Sequence, residues 1–518
     1  MNVPKHTGAQ ALLHSLAGSG VRVCFANPGT SEMHLVAALD SVPEIRSILC
    51  LFEGVVSGAA DGYGRIAGKP AMTLLHLGSG LSNAAANLHN AKRAHTPIVN
   101  IVGDHARYHR VLDAPLTSDI DSVARACSSW TGEVASADDA ANAALRVTSA
   151  ATQSHRGPAT LILPADCAWL PVDAIGSSTP VEVPRVKPVD VAAVASAIRN
   201  HANPCLLLSG DACSSGGVFE AGRIAAAGVR VICATFVPLI ARGASHFPVE
   251  RLAYHGEMAS AQIATIDLIV LAGASAPVAF FAYPDKPSHL LPPQCETRVL
   301  SEPGEACVDA LRQLADELDA PTAPIKLIEQ QKPEPPRGTL SPLTIGESLV
   351  RWMPDKAIVS DDSVSAGLAL YPATANAVSH DWMMLTGGAI GQGLPLAFGA
   401  AIAAPDRHVI ALTGDGAGMY TLQALWSMAR EQTNITIIVL ANRAYTILNV
   451  EWMRMQLGTP GTAAAEMFNL SKPDIEWATL ATGMGVPAQT VSTAEDFDAA
   501  LRDAMHRNGP YLIEAIVA

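Results

Sequence analysis

One stretch constrains the rest of the chain most. It begins His408-Val409-Ile410-Ala411-Leu412-Thr413-Gly414-Asp415-Gly416 and ends Ile435-Thr436-Ile437-Ile438-Val439-Leu440-Ala441-Asn442. Each end is a short apolar run closed by turn residues, the pattern of a buried strand. Between them Leu422, Leu425, Trp426 and Ala429 recur at helical spacing from Tyr420 to Arg430. Such a unit makes two parallel strands joined by a right-handed crossover. Parallel strands present their carboxyl ends along one edge, where open α/β sheets bind ligands. Asp415 and Asn442 are therefore expected close together on that edge. An anionic and a neutral oxygen suit Mg²⁺, which takes about six oxygens and shares them with phosphates. Gly414 and Gly416 permit close backbone approach, and a helix from about Ala417 would turn N–H groups towards an anion. Taken alone, Gly-Asp-Gly is also an ordinary turn after a strand.

Length implies several such units: 518 residues exceed one ordinary core, so two to four domains are expected. Strand and helix patterns alternate from Val21 to Leu163, which means a parallel sheet covered on both faces. The expected strands there are Val21–Ala26, Ile45–Leu51, Ala71–His76, Ile98–Val102 and Ala159–Leu163, with helices Gly54–Ala67 and Asn83–Ala94 between them. Residues 171–188 read as a linker. Strands near Cys205–Ser209, Val229–Cys233, Leu268–Leu271 and Thr297–Leu300 form a second unit. The Pro-rich stretch 321–342 is a second linker. The expected domains are 1–170, 189–320 and 343–518. A net charge of −14 argues against non-specific nucleic-acid binding. Nine scattered Cys without a CxxC pair argue against a disulfide framework. The N-terminus lacks the pattern of a signal peptide, and the longest apolar run, Leu268–Tyr283, is short of the ~20 residues a membrane helix needs. A cytoplasmic protein is the expectation.

Gly414-Asp415-Gly416 followed by Asn442 resembles the signature of thiamine diphosphate enzymes, closest to the acetolactate synthase and benzoylformate decarboxylase group. The resemblance implies three doubly wound α/β domains, pyrimidine-binding, central and diphosphate-binding in order. It implies Mg²⁺ held by Asp415, Asn442 and the main-chain carbonyl of Ala444, with Gly416, Ala417 and Asn442 beside the diphosphate. Many members have Asn-Asn where this chain has Ala441-Asn442; the metal-binding second Asn is kept.

Further segments extend the likeness. Glu53 follows an apolar strand and precedes Gly54, Ser57, Gly58, Ala59 and Ala60, small residues that let something flat lie close. An acid there could also simply favour the helix dipole. The run Glu53 to Gly62-Tyr63-Gly64-Arg65 is similar to the family's glutamate segment, which implies that Glu53 hydrogen-bonds N1′ of the aminopyrimidine. Phe52 stands where many relatives have His. His76 precedes Asn83 by seven positions (83 − 76 = 7), as in decarboxylase-like members. The likeness implies proton transfer by His76, a residue acetolactate synthases usually lack. Thr30 matches a substrate-contacting Ser, or caps the following helix. Ser363 falls at a diphosphate contact, or is an N-cap. Gly388 implies a carbonyl acceptor for N4′, and Ile390 the apolar wedge beneath the cofactor. Tyr445, Thr446 and Ile447 imply backbone N–H groups on the diphosphate. Leu448, Trp452 and Met453 border the expected substrate pocket. A second decarboxylase His is missing from Ala276-Pro277-Val278-Ala279-Phe280-Phe281-Ala282-Tyr283, so Phe280, Phe281 or Tyr283 should line the pocket and benzoylformate itself is not the expected substrate.

The implied function is Mg²⁺- and thiamine diphosphate-dependent decarboxylation of a 2-oxo acid. The product is an aldehyde, or a carboligation product with a second carbonyl. A homodimer or homotetramer follows, since family members place the glutamate and the metal site on different subunits. FAD, present in some acetolactate synthases, has no clear signal. The alternatives are a non-catalytic cofactor-binding relative and a dinucleotide-dependent oxidoreductase. The second lacks a G-x-G-x-x-G after the first strand.

Overall fold

The computed structural model describes residues 6–153, 156–173, 190–284 and 286–517. The expected linker 171–188 lies mostly outside them. A short ribbon pairs β1 (His6–Thr7) antiparallel with β8 (Pro171–Val172), tying the two ends of the first segment together. Between them a six-stranded parallel sheet uses β2 (Val23–Ala26), β3 (Arg46–Leu49), β4 (Ala71–His76), β5 (Ile98–Asp104), β6 (Trp130–Glu133) and β7 (Pro158–Pro164). Its order is β3-β2-β4-β5-β7-β6. Every residue of β5 and β7 is buried, as a sheet covered on both faces requires. Edge strand β6, Trp130-Thr131-Gly132-Glu133, has no apolar run, and sequence pattern does not reveal it.

The middle segment builds a five-stranded parallel sheet from β9 (Pro204–Leu208), β10 (Arg230–Cys233), β12 (Glu250–Arg251), β13 (Leu268–Ala272) and β14 (Glu296–Ser301), in the order β12-β10-β9-β13-β14. Its remaining strand, β11 (Ile240–Arg242), leaves it. β11 pairs antiparallel with β16 (His380–Met384) at the edge of the third sheet. That sheet continues through β15 (Ala357–Asp362), β17 (Val409–Gly414), β18 (Ile435–Ala441), β20 (Tyr511–Ile516) and β19 (Ala488–Val491), all in parallel. One antiparallel edge therefore modifies the expected all-parallel sheet. From β15 the chain runs outward to β16 and then back past β15 to β17. The resulting switch point opens a crevice at the carboxyl ends of β15 and β17.

Two local readings change. The Gly-rich run after His76 is helical: the helix spans Leu77–Arg93, six residues earlier than expected (83 − 77 = 6), with His76 as its N-cap. Gly78 is needed there because a Cβ would lie 2.1 Å from Ser118 Oγ. Part of the small-residue stretch after Glu53 packs against another helix, with a Cβ on Gly58 lying 2.6 Å from Pro395. The partner is the helix Gly393–Ala403: a Cβ on Gly62 would sit 2.0 Å from the Leu396 carbonyl oxygen, and one on Gly399 1.8 Å from that of Ala59. The two helix backbones touch, which locks the first segment onto the third sheet. No helix among the described residues is long and apolar enough to cross a membrane.

Candidate active site

Two clusters form at the carboxyl ends of the first and third sheets. In the first, Glu53 opens the helix Glu53–Ala67 and is 6% exposed. Amide groups hold both its oxygens: Asn27 Nδ2 donates to Oε1 at 3.2 Å and Asn83 Nδ2 to Oε2 at 3.0 Å. The early start of the Leu77–Arg93 helix is what brings Asn83 there. Asn87 on the same helix donates to the Gly54 carbonyl at 2.8 Å.

His76 ends β4 with its side chain about one-fifth exposed. Its Nδ1 lies 2.9 Å from Glu32 Oε2 and 3.1 Å from Ser31 Oγ. Glu32 is 1% exposed and also accepts from the Gly29 N–H at 2.9 Å. A carboxylate on one ring nitrogen fixes the tautomer and leaves the other nitrogen for proton transfer. Sequence reading missed Glu32 because an acid at the start of a helix reads as a dipole contact. Only the fold shows that it is buried, with Gly103 at the end of β5 leaving it room (a Cβ there would lie 2.1 Å from Glu32 Oε1). Thr30, His76 and Leu77 line one cavity of about 300 Å³. Thr30 does not cap a helix: the cap positions are Gly29 and Glu32, and neither makes a side-chain cap bond.

The second cluster sits in a cavity of about 480 Å³ lined by Ser363, Ile390, Asp415, Asn442, Ala444 and Thr446, among others. Asp415 is 4% exposed, and burial raises its carboxyl above the usual range. Its oxygens accept from the N–H groups of Gly416 at 2.9 Å and Arg443 at 2.7 Å. Asn442 Oδ1 accepts from the Ala444 N–H at 3.1 Å. A carboxylate, an amide oxygen and a peptide carbonyl are hard donors, and a diphosphate with water would complete a Mg²⁺ shell. Among the described residues no group of three or more His, Cys, Asp and Glu gathers around a metal position.

Three expectations shift at this cluster. The Gly416 N–H is engaged by Asp415, and the helix there is only Asp415–Gly418. Gly416 and Ala417 thus serve as lining. The Tyr445 N–H donates to the Phe468 carbonyl at 2.9 Å and is not available to a diphosphate. Thr446 and Ile447 open the helix Thr446–Arg454, which no side chain caps, so their first-turn N–H groups suit an anion. Ser363 does not cap a helix; its N–H and hydroxyl both donate to Asp361 Oδ1, at 3.0 and 2.5 Å. Non-glycine residues with positive φ mark both clusters: Leu77 (49°), Val364 (51°) and Arg443 (57°). Such strain persists only where packing imposes it and gathers at binding sites.

Another cavity, of about 390 Å³, shares Val364, Ile390 and Ile447 with the Asp415 cavity and also takes in Gly388, Phe280, Phe281 and Leu448. Tyr283 does not line it, nor do Trp452 and Met453. Trp452 donates to the Gly458 carbonyl at 2.9 Å, and Met453 is 68% exposed. Asp362, also unremarked in sequence, lines this cavity. Its Oδ2 accepts from Gly391 N–H at 2.8 Å and Gly393 N–H at 3.1 Å, holding the loop that carries Gly388 and Ile390. Burial pushes its carboxyl from 3.8 to about 7, against the pull of those two bonds. A raised folded value means stability present below the unfolded value and lost as pH climbs through the folded one. Asp362→Asn should therefore gain stability relative to wild type as pH rises from 3.8 towards about 7, and level off above. Melting temperatures of both proteins across that range test this; a constant difference would refute it.

The chain matches two sequence families: the N-terminal TPP binding domain of thiamine pyrophosphate enzymes over residues 6–124, and their C-terminal TPP binding domain over 368–515. It is 49% identical over 513 residues to a protein provisionally named acetolactate synthase large subunit IlvX of Mycobacterium tuberculosis, covering 98% of this chain and 99% of that one. It is 29% identical to benzoylformate decarboxylase of Pseudomonas aeruginosa, over 96% of each chain. Its fold superposes on the thiamine diphosphate-dependent 4-hydroxybenzoylformate decarboxylase of Rhodococcus jostii with a TM-score of 0.83, 24% identity and 99% coverage of both. The chain belongs to the thiamine pyrophosphate enzyme family. It is a thiamine diphosphate-dependent enzyme related to acetolactate synthase and benzoylformate decarboxylase.

Proposed function

We propose that this chain decarboxylates a 2-oxo acid with thiamine diphosphate and Mg²⁺, releasing an aldehyde or joining the acyl unit to a second carbonyl. The observation that carries this reading is the His76–Glu32 pair beside the Glu53 cluster: a proton-transfer group oriented by a buried acid, on the same sheet edge as the glutamate. When bound, the cofactor supplies the carbon nucleophile and the electron sink. Asp415, Asn442 and the Ala444 carbonyl would hold Mg²⁺, and Thr446 and Ile447 would meet the diphosphate. Ile390 would support the cofactor ring. Glu53 holds or gives a proton at its carboxyl, and His76 moves one at the ring nitrogen away from Glu32.

Within one chain the Thr30/His76 cavity and the Asp415 cavity share no lining residue. The reading carries with it a homodimer or homotetramer in which each site joins the first cluster of one copy to the second cluster of another. The three sheets support a division near 1–170, 189–320 and 343–518, with β11 crossing into the last.

The test is calorimetric titration of thiamine diphosphate with Mg²⁺, followed by CO₂ release from pyruvate and from longer and aromatic 2-oxo acids. Asp415→Ala should weaken cofactor binding by about a hundredfold or more, since losing a mere outer-shell partner of a metal ligand already costs about 10–100-fold. Aldehyde without acetolactate from pyruvate would mark a decarboxylase, and acetolactate a carboligase. Absence of CO₂ release from every acid would overturn the reading.

A further inference from the structure

Between the middle segment and the third sheet lies a cavity of about 490 Å³ that the proposed reaction does not use. Strand β11 and the helix Gly367–Ala373 supply part of its wall. Phe247, Val249, Leu252, Met258 and Ile328 make the rest of it largely apolar. Two guanidinium groups stand in this wall. Arg242 is 7% exposed. Its Nη2 donates to the Tyr371 carbonyl at 2.6 Å and its Nη1 to Thr374 Oγ1 at 3.4 Å, while its Cζ lies 3.7 Å from the centroid of the Tyr371 ring. Arg251 reaches the same ring, with its Cζ 5.0 Å from that centroid. Its Nε donates to the Thr235 carbonyl at 2.6 Å, and among the described residues neither of its terminal nitrogens has a hydrogen-bond partner.

Among the described residues no Asp or Glu forms an ion pair with either arginine. Asp361, whose field reaches Arg242, is held by the Ser363 hydroxyl and by Trp382 Nε1 at 3.2 Å. Burial lowers the pKa of Arg242, and the like charge of Arg251 works in the same direction. Two cations therefore flank one buried ring without a counter-ion. Carbonyl dipoles and the ring face offset part of the cost of burying them, and neither neutralises the charge. An anion in the cavity would.

We propose that this cavity binds a small monocarboxylate with a compact apolar body, its carboxylate between Arg242 and Arg251 and its body against Phe247, Leu252 and Ile328. The planar fork of a guanidinium matches the two oxygens of a carboxylate, and Arg251 has both terminal nitrogens free to donate. The lining holds no further Lys or Arg for the additional charge of a phosphate. The site is distinct from the cavity beside Ile390: the two share only Arg251, Tyr254 and Leu368. An occupant thus touches the wall of the reaction space from behind and meets neither Glu53 nor His76.

The test uses the full-length protein loaded with thiamine diphosphate and Mg²⁺. It is titrated calorimetrically with 4-methylpentanoate, with the neutral analogue 4-methylpentan-1-ol and with inorganic phosphate. The carboxylate should bind about tenfold or more tighter than either, the worth of a hydrogen bond to a charged group. Arg242→Met should remove that margin. Ala375→Trp, which fills the cavity and keeps both arginines, should abolish carboxylate binding and leave thiamine diphosphate affinity unchanged; it carries the test if the methionine variant fails to fold. Absence of carboxylate binding in wild type would overturn the proposal, as would equal affinity for the carboxylate and the alcohol. Undiminished binding in Ala375→Trp would place the ligand elsewhere and overturn it too. Tighter binding of phosphate would overturn the assignment to a carboxylate.

Discussion

Glu53→Gln is expected to bind thiamine diphosphate with near wild-type affinity and to slow exchange of the cofactor's C2 proton by about 10²–10⁴-fold, the usual contribution of a positioned acid–base group. The geometry explains why binding should survive. Glu53 lies at the carboxyl end of the first sheet, and Asp415 and Asn442, the residues proposed to hold Mg²⁺, lie at the ends of β17 and β18. Gln also keeps one oxygen for Asn27 or Asn83, so the pocket retains part of its hydrogen bonding. It loses the ability to take up or release a proton. Deuterium exchange at C2, read by proton NMR, isolates this step from substrate choice. Exchange at the wild-type rate in Glu53→Gln would mean that another group activates the cofactor.

Arg65→Ala should destabilise the folded chain by about 3–5 kcal/mol, the range for breaking a buried ion pair from one side. Arg65 and Asp61 form a bidentate pair one turn apart on the Glu53–Ala67 helix, with Nε–Oδ1 at 2.8 Å and Nη2–Oδ2 at 2.7 Å. Their side chains are 1% and 0% exposed. The guanidinium also donates to the carbonyls of Pro238 at 3.0 Å and Met384 at 2.8 Å, and to Thr386 Oγ1 at 3.0 Å. Asp61 further accepts from Thr96 Oγ1 and Gln392 Nε2, each at 2.6 Å. One ion pair thus ties the first segment to the middle segment and to the third sheet. Truncating Arg65 leaves Asp61 charged and dry. Arg65→Lys should recover only part of the loss, because an ammonium cannot reproduce the planar fork. Urea unfolding of the three proteins measures it, and a loss below about 1 kcal/mol in Arg65→Ala would contradict the account.

Much of the third sheet was legible because its strands are buried on both faces. Ile435–Ala441 is apolar or β-branched throughout, so its existence and its carboxyl end were readable without knowing any partner. Asp415 and Asn442 follow from that alone, since a parallel crossover brings the ends of neighbouring strands together; β17 and β18 are paired in register from Val409↔Ile435 to Gly414↔Leu440. Strands at edges were not legible. β6 is four residues with a glycine, and β11 is three residues whose partner, β16, lies far along the chain.

What the sequence determined by itself is therefore local: apolar runs that must be strands, and the acids, amides and glycines that close them. Its own pattern placed Asp415 and Asn442 on one edge, and family likeness singled out Glu53 and His76. Tertiary structure decided which polar groups lost their water and what replaced it. Glu32 becomes the partner of His76, and Asp362 the clasp of the Gly391–Gly393 loop. Desolvation depends on every element packed around a group, and no window of neighbouring residues encodes it.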